Sequence, residues 1–259
     1  MPARAAGFFV EFSTAMLNRI FTDDDLAAVR AGSVLAAFFR ISAVTAFSPD
    51  DHRLSLHAEE LRGKSEKFRR ERLASRAMLA DFLRSTAENP LPPFSFGRYG
   101  RPYFTGSGMP FFSISHSGEH ILLTMSKKPV GADVEAIRLR KGAQGIADRY
   151  FTPAEAGCVR KYGQRAFFRL WTIREAVSKF TGGGIQDFSR IRIDPRGFSV
   201  SVDDCEDPPL PLISETESLT AAIAVPVQSE VRSVMIDESG RHDAELLWHV
   251  PEPEDPDEP

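Results

Sequence analysis

The chain has 259 residues, 42% hydrophobic and 26% charged, an ordinary balance that lets a globular protein bury one sizeable core or two small ones. Its two widely separated cysteines, Cys158 and Cys205, exclude a disulfide framework and a cysteine metal site, and suit a reducing, cytoplasmic setting. The net charge of −4 hides an asymmetry: residues 1–200 carry 30 Lys and Arg against 20 Asp and Glu, residues 201–259 only 2 against 16. A basic body suits a polyanionic small molecule or an acidic protein, and with no recognisable binding motif beside it no nucleic-acid partner is expected.

In chain order, Phe8-Phe9-Val10 is interrupted by Glu11, so no signal peptide is expected, and no apolar run approaches a membrane span. Residues 1–35 are set apart as an N-terminal extension. Arg62, Lys64, Lys67, Arg69, Arg70, Arg72 and Arg76 interleave with Phe68, Leu73, Met78, Leu79, Phe82 and Leu83 at roughly helical spacing, and Pro90 marks the far limit. A solvated helix face is sufficient reason for such a run. Two short β-rich runs, 111–115 and 121–125, flank His116-Ser117-Gly118-Glu119-His120, a hairpin with a five-residue turn. The two histidines have a zinc-like spacing, but the glycine breaks any helix there and no zinc is expected.

Val130, Ala132, Val134 and Ala136 alternate with Gly131, Asp133, Glu135 and Ile137. A strand changes sides at each residue, so Asp133 and Glu135 share a face while the valines face the core. Two such carboxylates are a half-shell of oxygen ligands for Mg²⁺, or simply a solvated strand edge. Thr152-Pro153-Ala154-Glu155 reads as a helix-starting capping box with Pro at the first position. Leu170, Ile173, Val177 and Phe180 recur at helical spacing over 167–181, and Trp171, Glu175 and Lys179 follow four apart on a neighbouring face. Glu175 and Lys179 are thereby also a well-ordered ion pair one turn apart. Gly182-Gly183-Gly184 ends this helix rather than forming a phosphate loop, and neither a Walker motif nor G-x-G-x-x-G is present. Strands over 190–193 and 198–202 flank the turn Asp194-Pro195-Arg196-Gly197, and 219–225 is a final apolar strand. Residues 228–259 are set apart as an acidic tail, partly disordered, ending in Pro251-Glu252-Pro253-Glu254-Asp255-Pro256-Asp257-Glu258-Pro259.

Gly131-x-Asp133-x-Glu135 followed by Trp171-x-x-Arg174-Glu175-Ala176-x-x-Lys179 resembles the signature of the 4'-phosphopantetheinyl transferases, of the larger type that activates surfactin- and enterobactin-like synthetases. Gly100-Arg101-Pro102 before Ser115-His116-Ser117, and Phe151-Thr152-Pro153-Ala154-Glu155, resemble further motifs of that family in the right order, over roughly residues 60–225. Arg174 stands where the family usually has lysine. The resemblance implies an α+β fold of two halves, 36–126 and 127–227, related by a pseudo-twofold. Each half is a helix on a small antiparallel sheet, and the active site lies in the cleft between them. The implied reaction moves 4'-phosphopantetheine from coenzyme A to a serine of an acyl, peptidyl or polyketide carrier protein, releasing 3',5'-ADP, in fatty-acid or secondary metabolism. Asp133, Glu135 and Glu175 are the implied ligands of Mg²⁺ (or Mn²⁺). Lys179 offsets leaving-group charge, and Glu175, Glu155 or a metal-bound water is the candidate proton acceptor, Glu155 being alternatively a carrier-protein contact. Arg76, Arg101, Ser115, His116 and Lys179, with Arg69 and Arg70 as helpers, are implied to hold coenzyme A. The two halves in one chain make a monomer the expectation. A metal-dependent phosphodiesterase or nuclease, and a coenzyme A-binding module without catalysis, are the alternatives.

Overall fold

Apolar alternation in the strands and three-to-four spacing in the helices resolve into four stacked layers: helix, sheet, sheet, helix. A computed structural model describes residues 20–44, 51–237, 239–243 and 248–250. Helix α1 (Asp23–Ala31) starts at Thr22, which forms a capping box with Asp25, and ends at Gly32 with φ +117. It leads into strand β1 (Val34–Arg40). After short 3-10 turns come α2 (Ala58–Leu61) and α3 (Glu66–Phe82), the latter capped by the Ser65 hydroxyl on the Phe68 N–H. A two-stranded ribbon, β2 (Ser95–Phe96) and β3 (Pro102–Tyr103), precedes the hairpin β4 (Phe111–Ser117) and β5 (His120–Ser126). The turn of that hairpin is two residues, Gly118 and Glu119, shorter than the five read from sequence, because Ser117 already pairs with His120 and Gly118 takes φ +60.

The chain continues with β6 (Gly131–Ala136), α4 (Ala143–Tyr150), α5 (Pro153–Thr181), β7 (Ile191–Ile193), β8 (Val200–Val202), β9 (Leu210–Glu215) and β10 (Leu219–Val225). Thr152 and Glu155 close the expected capping box, and Gly182 ends α5 in the left-handed region at φ +75. Gly163, at φ +73 and ψ −143, breaks α5, so the helix start at Thr152 and the helix over 167–181 belong to one interrupted rod.

The larger sheet runs β12-β11-β1-β5-β4 and the smaller β6-β10-β9. β11 (Val231–Asp237) and β12 (Gly240–Asp243) correct two expectations. They fall in the segment assigned to an acidic tail, so 219–225 is not the last strand. β11 also pairs with β1 in parallel, so the larger sheet is mixed rather than purely antiparallel. Val234 and Ile236 are buried against the helix layer, and Arg232 pairs with the buried Asp25 of α1 at 2.7 Å, a local pattern that the acidic average of the region conceals. The last nine residues lie outside the described ones, as does most of the N-terminal extension. The described part of that extension, residues 20–35, contributes α1 and the first residues of β1 to the body.

One core lies between α1, α3 and the larger sheet (Leu26, Leu79, Phe39, Ile121, Phe112). A second lies between the sheets (Val34, Leu122, Ala132, Val134, Ile223), and a third between the smaller sheet and α4–α5 (Ala147, Phe168, Ile173, Ala222, Ala224). The fold is α+β. Among the described residues no helix is long and apolar enough to cross a membrane.

Candidate active site

The edges of the two sheets meet where β4 runs beside β6. Phe112 and Ile114 of β4 face the helix layer, so Ser113, Ser115 and Ser117 face β6. Their hydroxyls bind it: Ser113 Oγ accepts the Ala132 N–H at 3.0 Å, and Ser117 Oγ accepts the Ala136 N–H at 3.0 Å. On β6, Ala132 and Val134 enter the inter-sheet core, which turns Gly131, Asp133 and Glu135 toward α5. A Cβ on Gly131 would stand 1.8 Å from the Ala176 carbonyl oxygen. Only glycine lets α5 cross β6 this closely, and the crossing brings the α5 side chains onto the β6 carboxylates.

Lys179 Nζ lies 2.7 Å from Asp133 Oδ1 and donates also to the Ala132 carbonyl at 3.0 Å. Its ion pair is therefore across the β6–α5 contact, not with Glu175 one turn earlier on its own helix. Ser115 Oγ donates to the same Asp133 Oδ1 at 2.6 Å, and Ser117 Oγ donates to Glu135 Oε2 at 3.1 Å. Asp133 Oδ2 is buried without a partner. Burial drives the Glu175 carboxyl up to about 7, with repulsion from Asp133 and Glu135 adding to it and Lys179 opposing it. Burial and the Asp133 charge likewise raise Glu135, against the Ser117 hydrogen bond and the charges of Arg138 and Arg140.

Asp133, Glu135 and Glu175 thus feel one another electrostatically, although among the described residues no three His, Cys, Asp or Glu side chains converge into a closed metal shell. The orphaned buried Asp133 Oδ2 and the all-oxygen chemistry of Asp133, Glu135 and Glu175 are of the kind that suits a hard divalent cation.

His116 sits on the opposite face of β4, toward α3. Its Nδ1 is 3.8 Å from Glu71 Oε2, and burial lowers its pKa, with Glu71 opposing and Arg72, Lys179 and Lys67 adding to the fall. Arg72 packs its guanidinium over the Phe68 ring at 5.0 Å, and its Nε is buried without a partner. Arg72 thus lies beside His116, a neighbour that the sequence reading left inside a general basic run.

Other expected residues lie elsewhere. Arg76 is 1% exposed: its Nη2 bonds Glu60 Oε1 and Oε2 at 2.6 and 2.5 Å, and its Nε donates to His57 Nδ1 at 3.3 Å. A phosphate reaches it only by displacing Glu60. Arg70 contacts Glu119 of the β4–β5 turn at 3.4 Å, while Arg69 is exposed on α3. Arg101 donates to the Phe180 carbonyl at 3.0 Å and the Val130 carbonyl at 2.9 Å, clamping the end of α5 to the start of β6. Glu155 is wholly buried. It caps the Thr152 N–H at 2.9 Å, accepts the Ile193 N–H at 2.6 Å and pairs with Arg174, which also donates to the Phe188 and Ile191 carbonyls. Both of its oxygens are thereby engaged inside the core, and Arg174 of the Trp171–Lys179 motif is its ion-pair partner. Trp171 packs on Phe167 and Phe188 as part of the core. A cavity of about 790 Å³ lies at the Phe111 end of β4, lined by Leu26, Phe82, Tyr103, Phe112 and Gly182, away from the carboxylates.

Residues 129–225 match the model of the 4'-phosphopantetheinyl transferase superfamily. A 4'-phosphopantetheinyl transferase of Bacillus subtilis is 30% identical over 174 residues, covering 61% of this chain and 77% of that protein. The 4'-phosphopantetheinyl transferase AcpT of Escherichia coli K12 is 34% identical over 165 residues, 61% of this chain and 76% of the relative. AcpT of Salmonella typhimurium is 38% identical over 116 residues, 43% of this chain and 58% of the relative.

Proposed function

The chain belongs to the 4'-phosphopantetheinyl transferases, and on that premise we propose that its carboxylate–lysine centre moves 4'-phosphopantetheine from coenzyme A to a carrier-protein serine. The observation that supports this reading is the Lys179–Asp133 ion pair at the β6–α5 crossing, with Glu135 two residues further along β6 and Glu175 one turn before Lys179 on α5. Asp133, Glu135 and Glu175 would hold a divalent cation, Mg²⁺ or Mn²⁺, and the chemistry it would supply is charge neutralisation at the diphosphate of coenzyme A.

The protein's own contribution is positioning and charge. Lys179, anchored by Asp133, offsets the negative charge that grows on the departing 3',5'-ADP. His116 with Arg72 and Lys67 draws the nucleotide end onto the α3 side of β4, assisted by Arg70. The Asp133 orientation set by Ser115 and Lys179 leaves Oδ2 for the cation. Of the two carboxylates weighed as acceptors of the serine proton, Glu175 stands at the centre, whereas Glu155 is sealed against Arg174. The serine oxygen attacks the phosphorus of the pantetheine phosphate, the bond to the 3',5'-ADP oxygen breaks, and the serine proton passes to Glu175.

We read the two halves as related by a pseudo-twofold with the reaction at their seam, in a monomeric, cytoplasmic enzyme. Cys158 and Cys205 form no disulfide, which suits that compartment. The test is nucleotide release. With coenzyme A, Mg²⁺ and an apo carrier protein, 3',5'-ADP forms in step with carrier modification. Release without any carrier indicates the phosphodiesterase alternative, and coenzyme A binding without release indicates the inactive module.

A further inference from the structure

The three buried serines of β4 have unequal tasks. Ser113 meets only the backbone of β6, through the Ala132 N–H. Ser115 shares Asp133 Oδ1 with Lys179, so Asp133 has two anchors. Ser117 alone does both jobs: its oxygen accepts the Ala136 N–H at 3.0 Å, and its single proton goes to Glu135 Oε2 at 3.1 Å. A hydroxyl has one proton to donate, so fixing the oxygen from β6 fixes the direction of that donation. Among the described residues no ion pair holds Glu135, and the Ser117 bond is the one side-chain hydrogen bond recorded for its carboxylate. Glu135 has three rotatable side-chain bonds, and an unheld glutamate spreads over many rotamers.

We propose that Ser117 is a positioning residue for the cation site: it aims the Glu135 carboxylate toward α5 from the other sheet and so couples the first half to the metal centre of the second. This rests on the reading of Asp133, Glu135 and Glu175 as cation ligands. Hydrogen bonds behind metal ligands commonly govern affinity by one to two orders of magnitude.

Ser113→Ala is the matched control, because it too leaves a β6 N–H without its hydroxyl yet frees no carboxylate. The measurement is Mn²⁺ binding to the protein without coenzyme A or carrier, by electron paramagnetic resonance of the free ion, with thermal midpoints recorded alongside. Ser117→Ala is expected to weaken Mn²⁺ binding about 10-fold. Ser117→Thr, which keeps the hydroxyl, restores it. Ser113→Ala lowers the thermal midpoint as much as Ser117→Ala does but leaves Mn²⁺ affinity unchanged. Equal affinity in Ser117→Ala and the parent chain overturns the proposal, as does an equal loss in both alanine variants, which would make the serine row a structural seam and nothing more. A parent chain that binds no Mn²⁺ overturns the cation assignment itself, a separate failure.

Discussion

Glu155 and Arg174 show how much a single residue's meaning depends on its partner. Both are wholly buried, and each satisfies several groups of the other's surroundings. Removing one member of such a pair strands a charge in the core, a loss of about 3–5 kcal/mol. Glu155→Ala is therefore expected to lower the urea midpoint sharply, and a midpoint within a few tenths molar of the parent would contradict the structural role assigned here. Lys179→Ala tests the opposite kind of residue. Its side chain is partly exposed, and the proposed role sets it at the leaving group, so kcat/KM should fall by about 10²–10³ while coenzyme A binding falls far less. Equal losses in both would make Lys179 a binding group only. The D-x-E pattern and the Glu175–Lys179 spacing were legible as a candidate site because strand and helix periodicities place them on one face each. The burial of Arg76 was not legible. Its helix position looked like that of its exposed neighbours, and only Glu60, sixteen residues away, reveals that it is already spoken for.

At the scale of elements, the site exists because α5 and β6 touch. Gly131 permits that contact, so Gly131→Ala must push the Ala176 carbonyl, and with it Glu175 and Lys179, off the β6 carboxylates. Overpacking of this kind costs about 1–3 kcal/mol or more. The expected result is a protein of lower thermal midpoint with its Mg²⁺-dependent turnover lost. Turnover at the parent level would mean that α5 does not sit where it is described. Arg101 supports the same contact from the far end, tying Phe180 to Val130. Element boundaries were readable where chemistry marks them, at the Thr152 capping box and the Gly182 cap. The break at Gly163 was not, since a lone glycine between Tyr162 and Gln164 is compatible with a continuous helix.

For the whole molecule, the larger sheet is completed by a strand that arrives nearly two hundred residues after its neighbour, Val34 pairing with Val231. No local pattern announces a parallel pairing of that span, and for this reason the tail was drawn too long and the sheet read as antiparallel. Stability as a whole should also carry a pH signature from His57. Its pKa is lowered from 6.5 by burial first and the Arg76 charge second, and the Arg76 Nε–H donates to a ring nitrogen that must be bare to accept it. The unfolded chain therefore binds the proton at a higher pH than the folded one. Stability is full above about 6.5 and is lost as pH falls from there through the lowered folded value. Urea midpoints should drop between pH 7.5 and pH 5 (on the order of the histidine range), with a shallower drop in His57→Gln. An identical drop in both proteins would assign the effect to other groups.

The most direct measurement is the intact mass of an apo carrier protein after incubation with this enzyme, coenzyme A and Mg²⁺. The account predicts a gain of one phosphopantetheinyl group, abolished by EDTA and by Asp133→Ala. An unchanged mass with acyl, peptidyl and polyketide carriers alike, or a gain that survives both EDTA and Asp133→Ala, would contradict it.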